Sequence, residues 1–139
     1  SWDSTVQLWN SATAANLATF RDPQGRNLRA VAWSPDGQRI AFGGDSMVVQ
    51  VWNVSTNSQI VSYAGHNGDI EDVKWSPDGT HLASASKDRT VQIWNATTGA
   101  HLYTYTGHNN LVWAIDWSTS GQYIASASQD DTVRVWQAV

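Results

Sequence analysis

The sequence contains no cysteine, which excludes disulfide bonds, thiolate catalysis and cysteine-based zinc or iron–sulfur sites. It also lacks any run of about 18 apolar residues, the length that a membrane-spanning helix needs. Charged residues make up only 14% of the chain and the net charge is −4, which argues against a nucleic-acid or anionic-membrane surface. No phosphate-binding loop, metal-binding series or nucleophile motif is recognisable. We therefore expect no cofactor, no metal, no nucleic acid and no membrane partner. The lack of cysteine does not determine the compartment, for which we expect the cytoplasm.

Tryptophan is the residue in excess, with nine copies against two phenylalanines. Trp33, Trp75 and Trp117 stand in three similar segments spaced by 42 residues. A second series ends other segments at intervals of 43, 42 and 42 residues: TVQLWN at Trp9, VVQVWN at Trp52, TVQIWN at Trp94 and TVRVWQ at Trp136. Self-similarity at such a period is typical of proteins built from stacked repeats.

Each repeat predicts four short strands joined by tight turns. The segment Ser76-Pro77-Asp78-Gly79 fits a type I turn between two strands, and residues 90–94 alternate between apolar and polar side chains, as a strand does. A sheet of four short strands cannot bury both of its faces alone. The repeats therefore predict an all-β fold in which small antiparallel sheets stack on one another.

Several elements recur in phase with this period: Gly65-His66 and Gly107-His108, the SPDG turns, LASAS and IASAS, Asp88 and Asp130, and the closing Trp-Asn pairs. Together they resemble the WD40-repeat β-propeller family. The resemblance implies propeller blades of four-stranded antiparallel sheets, about three per chain, with strands in the order d-a-b-c through each repeat. It divides the chain into strand c of a preceding blade at 1–10, a degenerate repeat at 11–53, a second repeat at 54–95 and a third at 96–139.

In this family, the histidine of the Gly-His pair, a serine of strand b, the aspartate of the b–c turn and the tryptophan of strand c form a buried hydrogen-bonded network. The resemblance carries this role to two sets of residues: His66, Ser84, Asp88 and Trp94, and then His108, Ser126, Asp130 and Trp136. A serine hydrolase uses the same three polar residue types. It also needs an exposed nucleophile and an oxyanion hole, and recurrence in two repeats favours the structural role.

The first repeat departs from this pattern. Aligned on Trp33, Gln24 stands in the place of the histidine, Phe42 in that of the serine and Ser46 in that of the aspartate, so that only Trp52 remains. We expect Phe42 to pack where the network would lie. We interpret the loop at residues 21–27 first as sequence drift that the fold tolerates. The less favoured interpretation is a specialised binding loop.

The resemblance further implies that partners bind on the face formed by the d–a and b–c loops. The family's frequent contact positions hold ten residues here: Trp2, Asn27, Arg29, Asp45, Asp69, Glu71, Lys87, Leu111, Trp113 and Gln129. Simple alternation places Leu111, Trp113 and Ile115 on one side of a strand, unless a bulge intervenes. Trp113 is then either an interface anchor or a side chain packed on a neighbouring blade. Asp69 and Glu71 form an acidic patch that could meet a basic peptide, although a solvated surface is the favoured interpretation.

The expected function is that of a non-catalytic scaffold that binds protein or peptide partners on this face. The alternatives are a propeller that binds a small ligand or performs catalysis at its central channel, and a self-assembling unit with no specific partner. Three blades cannot close a ring, and the strand at residues 5–9 is additional. The ring is completed either by the remaining blades of a longer protein, which we favour, or by other copies of the chain.

Overall fold

The computed structural model describes residues 1–139 as thirteen β-strands joined by short turns and loops. The strands are β1 (Thr5–Trp9), β2 (Asn16–Arg21), β3 (Leu28–Trp33), β4 (Arg39–Gly44), β5 (Val49–Asn53), β6 (Ser58–Tyr63), β7 (Ile70–Trp75), β8 (His81–Ser86), β9 (Val91–Asn95), β10 (His101–Tyr105), β11 (Val112–Trp117), β12 (Tyr123–Ser128) and β13 (Val133–Gln137). The molecule has no helix of the length and apolarity needed to cross a membrane.

The strands form four antiparallel sheets: sheet I (β1, β2), sheet II (β3–β6), sheet III (β7–β10) and sheet IV (β11–β13). The predicted all-β fold of WD40-type blades is confirmed, and the sheets form an open array rather than a closed ring. In sheets II and III, strands a, b and c (β3–β5 and β7–β9) come from one repeat, and strand d (β6 and β10) comes from the next. The additional strand β1 pairs with β2, with Val6 opposite Phe20.

Side-chain hydrogen bonds explain why the SPDG segments turn. Ser76 Oγ donates to Asp78 Oδ1 at 2.6 Å and accepts from the backbone N–H of His81 at 2.9 Å. Gly79 has a φ of 71°, a left-handed conformation that glycine adopts without strain. Serine and aspartate thus satisfy the turn's polar groups, and the chain reverses from β7 into β8.

Apolar side chains from neighbouring sheets form the core between them. Val73 lies between sheets II and III with none of its surface exposed, and Ile115 takes the equivalent place between sheets III and IV. The Trp75 indole N–H donates to the backbone oxygen of Ala32, and that of Trp117 donates to Lys74, both at 3.2 Å. The interface between sheets II and III and that between sheets III and IV are therefore built alike.

One face of sheet IV has no such neighbour. In sheet III, the residues of strands b and c that face sheet IV are fully buried: Ala83, Ala85, Val91 and Ile93. Their equivalents in sheet IV are Ala125, Ala127, Val133 and Val135, and the two valines are 71% and 69% exposed. Sheet IV covers this face of sheet III, but no further sheet covers the equivalent face of sheet IV.

A β-bulge interrupts strand a in each of the three repeats. The register shifts at Arg29 in β3, at Glu71 in β7 and at Trp113 in β11, so that each of these residues lacks a partner on strand b. Simple alternation is therefore wrong for β11, because Val112 and Ile115 are both buried while Trp113 between them is exposed. A bulge bends the strand and redirects the side chain of the inserted residue.

Candidate functional site

Sheet III contains a hydrogen-bonded set of four side chains. His66 Nδ1 lies 2.8 Å from Asp88 Oδ2, and its Nε2 lies 2.8 Å from Ser84 Oγ. The Trp94 indole N–H donates to the same serine oxygen at 3.3 Å. Sheet IV repeats the set with His108, Ser126, Asp130 and Trp136, at 2.9, 2.8 and 3.2 Å respectively.

The hydrogen positions follow from the chemistry of the partners. A carboxylate only accepts, so Nδ1 of His66 carries a hydrogen, and the Ser84 hydroxyl donates to the neutral Nε2 while it accepts from Trp94. Every polar atom of the set thus has a partner. Satisfied networks of this kind rigidify the fold around them.

Threonines two residues after the aspartates belong to the same arrangement, and the sequence prediction missed them. Thr90 donates through its hydroxyl to Asp88 Oδ1 at 2.6 Å, and Thr132 does so to Asp130 at 2.5 Å. The recurrence of Asp-x-Thr at both positions, and again at Asp3 and Thr5, is the sequence signal that identifies them.

Opposing effects set the pKa of the Asp88 carboxyl. Burial by itself raises this pKa, but hydrogen bonds from His66, from Thr90 and from the backbone of Asn67 lower it to a net value well below the usual range of aspartate. Hydrogen bonds from Thr132, Asn109 and His108 hold the pKa of Asp130 low as well. Both carboxyls are therefore ionised at neutral pH, as the acceptor role requires.

The Ser84–His66–Asp88 geometry matches that of a hydrolytic triad, so accessibility has to distinguish a structural role from a catalytic one. Ser84 exposes none of its surface and His66 only 6%. The ring of Trp94, itself stacked on Tyr63 at 4.8 Å, belongs to the same buried cluster. A catalytic serine must be reached by its substrate, and this serine is enclosed on all sides.

Sheet II has an apolar cluster at the equivalent place. Phe42 is fully buried and packs with Phe20, which meets Trp52 edge to face at 5.7 Å. The Trp52 indole N–H donates to Gln50 Oε1 at 3.0 Å instead of to a serine. An aromatic core thus replaces the polar network, in keeping with the cost of burying an isolated polar group.

In the loop before sheet II, the buried side chain is not the one that the alignment on Trp33 gives. Gln24, which aligns with the histidines, is exposed, whereas Asp22 is the buried side chain of this loop. Asp22 Oδ2 accepts from the backbone N–H groups of Gln24 and Arg26 at 3.1 and 2.9 Å. This loop contains one residue more than the equivalent loop between Tyr63 and Trp75, and it turns at Asp22-Pro23. The chain is therefore shifted, and the side chain at position 24 does not reach the interior.

The d–a loops and the b–c turns lie at one end of the stacked sheets, which we call the top face. Arg29 reaches across sheets II and III: it forms ion pairs with Asp45, with Asp69 at 3.8 Å and with Glu71 at 3.6 Å. Lys87 pairs with Asp69 at 2.8 Å and with Glu71 at 3.5 Å. Asn27 joins the cluster by donating to Asp45 Oδ2 at 2.9 Å.

This charge cluster changes the interpretation of Asp69 and Glu71. Arg29 and Lys87 lie beside both carboxylates, so Asp69 and Glu71 belong to a mixed-charge surface network and do not form a patch of acidic residues alone. The hydrogen bond from Arg29 likewise lowers the pKa of the Asp45 carboxyl. The top face of sheets II and III is consequently polar, with two cationic side chains paired to three carboxylates.

The top face of sheet IV carries no charge at the equivalent positions. Trp113 is 47% exposed on its bulge, Leu111 is half-buried, and Gln129 is exposed with its backbone N–H donating to Leu111 at 3.0 Å. Trp2, in the turn before β1, is 93% exposed. The ten predicted contact residues thus divide into a largely charged group on sheets II and III and an uncharged group on sheet IV, with Trp2 apart at the start of the chain.

The stacked four-stranded sheets and the two repeated networks define a protein built of propeller blades. A family profile described as "WD domain, G-beta repeat" matches residues 15–53, 57–95 and 99–137. These matches cover most of the chain, which therefore belongs to the WD40 family.

Individual relatives match over shorter stretches. The chain is 32% identical over 65 residues to "Cell division cycle 20.1, cofactor of APC complex" of Arabidopsis thaliana, which is 45% of this chain and 14% of that protein. It is 29% identical over 68 residues to "Transcription initiation factor TFIID subunit 5" of Caenorhabditis elegans, covering 49% and 10%. It is 38% identical over 48 residues to the "U5 small nuclear ribonucleoprotein 40 kDa protein" of Mus musculus, covering 34% and 13%. The matched stretches are a small part of each relative.

Replacing the central serine tests the role of the network. Ser84→Ala leaves the indole N–H of Trp94 and Nε2 of His66 without a partner, and we expect a loss of about 2 kcal/mol in the free energy of unfolding. Urea titration monitored by tryptophan fluorescence measures this loss.

Ser62→Ala is the matched control, because Ser62 is an exposed strand serine, and its cost should stay within about 0.5 kcal/mol. A Ser84→Ala chain of unchanged stability that had lost an esterase activity present in the original would refute the structural role.

Proposed function

We propose that this chain is part of a non-catalytic protein-interaction scaffold that binds protein or peptide partners on its top face. The names of its relatives support this, since they describe a cofactor or subunits of multi-protein complexes. Each relative is far longer than the matched stretch, so the partners of the whole protein belong to the proposal. The cytoplasmic location stays a prediction.

The observation that carries the proposal is the exposed Trp113. A bulge turns this side chain outward beside Leu111, whereas Trp75 and Trp117, which also lie in strands a, pack across the interfaces between sheets. Keeping half of an indole in water forgoes hydrophobic stabilisation. Large aromatic side chains of this kind, exposed in the free protein, are the commonest anchors of protein interfaces.

The neighbouring charges suit the rim of such an interface. Arg29 and Lys87 pair with the three carboxylates around them and reduce their charge to a net −1, which limits the cost of bringing a partner close. Rim charges mainly guide orientation and specificity, and buried aromatic anchors provide most of the affinity. We therefore place the centre of the interface at Trp113 and Leu111 and its polar edge on sheets II and III.

Truncating the anchor tests this arrangement. Peptides selected from a random display library on the intact chain should bind Trp113→Ala about thirtyfold or more weakly, because a central aromatic anchor contributes about 2 kcal/mol or more. Fluorescence anisotropy of the labelled peptides measures the dissociation constants.

The chain offers a matched control in Tyr123, which is 48% exposed at the start of β12, at the opposite end of sheet IV. Tyr123→Ala should change the dissociation constants less than about twofold. Equal losses in both variants, or a loss only with Tyr123→Ala, would remove the top face as the binding surface.

A second partner surface is the open face of sheet IV with Val133 and Val135. We propose that a further WD40 blade covers it, because the same positions of sheet III are covered by sheet IV. The remaining blades of a longer propeller suit this place better than a second copy does. In a head-to-tail copy, β13 would need the edge of β2 that β1 already occupies.

The solution mass of the 139-residue chain separates these two sources of a covering blade. Light scattering should give a monomer at micromolar concentration if the covering blade comes from elsewhere in a longer protein. A discrete dimer or trimer that Val133→Glu dissociates would instead assign the open face to other copies of the chain.

A further inference from the structure

A groove lies between sheets III and IV at the end opposite the top face, and we call it the lower groove. Its volume is about 400 Å³, and its walls include Asp78 and His81 from sheet III and Trp117 and Gly121 from sheet IV. None of these four residues belongs to the top face or to the buried networks. The lower groove is therefore a separate surface that the proposed function does not use.

The equivalent place between sheets II and III is filled by the side chain of Arg39. Its guanidinium carbon lies 4.5 Å from the centre of the Trp75 ring, a cation–π contact. Its Nη2 donates to the backbone oxygen of Gly79 at 2.9 Å and lies 3.7 Å from Asp36 Oδ2. An indole face, a turn carbonyl and a carboxylate thus hold a guanidinium group between these two sheets.

The same three features recur one repeat later, in the lower groove. Trp117 corresponds to Trp75, Gly121 to Gly79 and Asp78 to Asp36, each displaced by 42 residues. The fourth position differs, because His81 stands where the earlier repeat has Arg39. The lower groove therefore keeps the parts that contact a guanidinium but does not contain one.

The two grooves have closely similar shapes. The indole N–H of the lining tryptophan donates across the interface at 3.2 Å in both cases. The facing turns are also spaced alike: an added Cβ would lie 3.5 Å from Pro35 Cδ at Gly79 and 3.7 Å from Pro77 Cδ at Gly121. A space equivalent to the one that Arg39 occupies between sheets II and III is therefore present between sheets III and IV.

His81 does not take the place of the arginine. Its Nδ1 lies 2.7 Å from Thr80 Oγ1 of the adjacent residue, and no hydrogen bond joins it to Gly121. The consequence is visible on the tryptophans, since Trp75 beside Arg39 is only 7% exposed, whereas Trp117 is half-buried. An indole face thus remains accessible in the lower groove.

The carboxylate of the lower groove is ionised and can accept further hydrogen bonds. The hydroxyl of Ser76 and the backbone of Thr80 lower the pKa of Asp78 to about 2. Asp78 Oδ2 accepts from the Thr80 hydroxyl at 2.8 Å, and a carboxylate oxygen has a second lone pair for another donor. Asp78 can therefore pair with a cation while it maintains its turn.

We propose that the lower groove binds the guanidinium group of an arginine side chain presented by a partner protein. The indole of Trp117, the backbone oxygen of Gly121 and the carboxylate of Asp78 contact it as their counterparts contact Arg39. A lysine ammonium fits less well, because it is a compact point charge without the flat surface that stacks on an indole.

The probe for this site is the peptide acetyl-Gly-Arg-Gly-amide, compared with the same peptide carrying lysine or the uncharged citrulline. The measurement is the NMR signal of the Trp117 indole N–H in the complete chain during titration. We expect a saturable shift with the arginine peptide and an apparent affinity about tenfold or more weaker with the other two. The absence of a saturable shift, or an equal response to citrulline, would overturn the proposal.

Two reciprocal variants locate the binding. His81→Arg supplies the groove with its own guanidinium, as Arg39 does one repeat earlier, and should abolish the response of Trp117. Arg39→His should open the first groove, so that the signal of Trp75 responds as well. An undiminished response in His81→Arg would place the peptide elsewhere and contradict the proposal.

Trp113→Ala should leave the response to the probe unchanged, because Trp113 lies at the other end of the sheets. A failure of the lower groove is thereby distinguishable from a failure of the top-face interface.

Discussion

Each sheet of this protein carries apolar side chains on both faces, so its stability depends on a neighbouring sheet on each side. Three equivalent residues of strand a show this dependence directly. Val73 and Ile115, each packed on a preceding four-stranded sheet, are 0% and 4% exposed, whereas Val31, beside the two strands of sheet I, is 52% exposed. Val31 and Val73 are the same residue type at equivalent positions, and they differ in the sheet that lies beside them. Stacking between sheets, more than pairing within one, therefore determines how much of the core is buried.

The functional surfaces follow from this stacking. Because neighbouring sheets keep a constant offset, their loops meet side by side at the top face, where Arg29 spans from Asp45 to Asp69. At the opposite end, the a–b turn of one sheet lies beside the strand-a tryptophan of the following sheet, and this arrangement produces the two equivalent grooves. Within a sheet, His66 ties the d–a loop to strand b and to the b–c turn. The network thus holds in place the loops that carry the proposed interface.

The repeated pattern of the sequence was sufficient to predict the thirteen strands and the all-β fold, and the resemblance to the WD40 family supplied the network residues. The bulges were harder to predict, since alternation gives no sign of an inserted residue, and Trp113 was placed with Ile115 for that reason. The alignment on Trp33 put Gln24 in the place of the histidine, but the loop contains one more residue than in the other repeats, and Gln24 is exposed. The contact of Arg39 with Trp75 joins different repeats, and a strand-by-strand reading does not reveal it. The repeat boundaries at 11–53, 54–95 and 96–139 stay predictions, since a sheet combines strands from two repeats.

The comparison of Val73→Ala with Val31→Ala tests the dependence on stacking most directly. Both variants remove the same two methyl groups from equivalent positions of strand a, and urea unfolding of the monomeric chain measures the free energy of each. Val73→Ala should cost about 2 kcal/mol, from lost burial and the cavity left between sheets II and III, while Val31→Ala should cost no more than about 0.5 kcal/mol. Equal costs at the two positions would mean that each sheet is stable by itself, and would contradict the account.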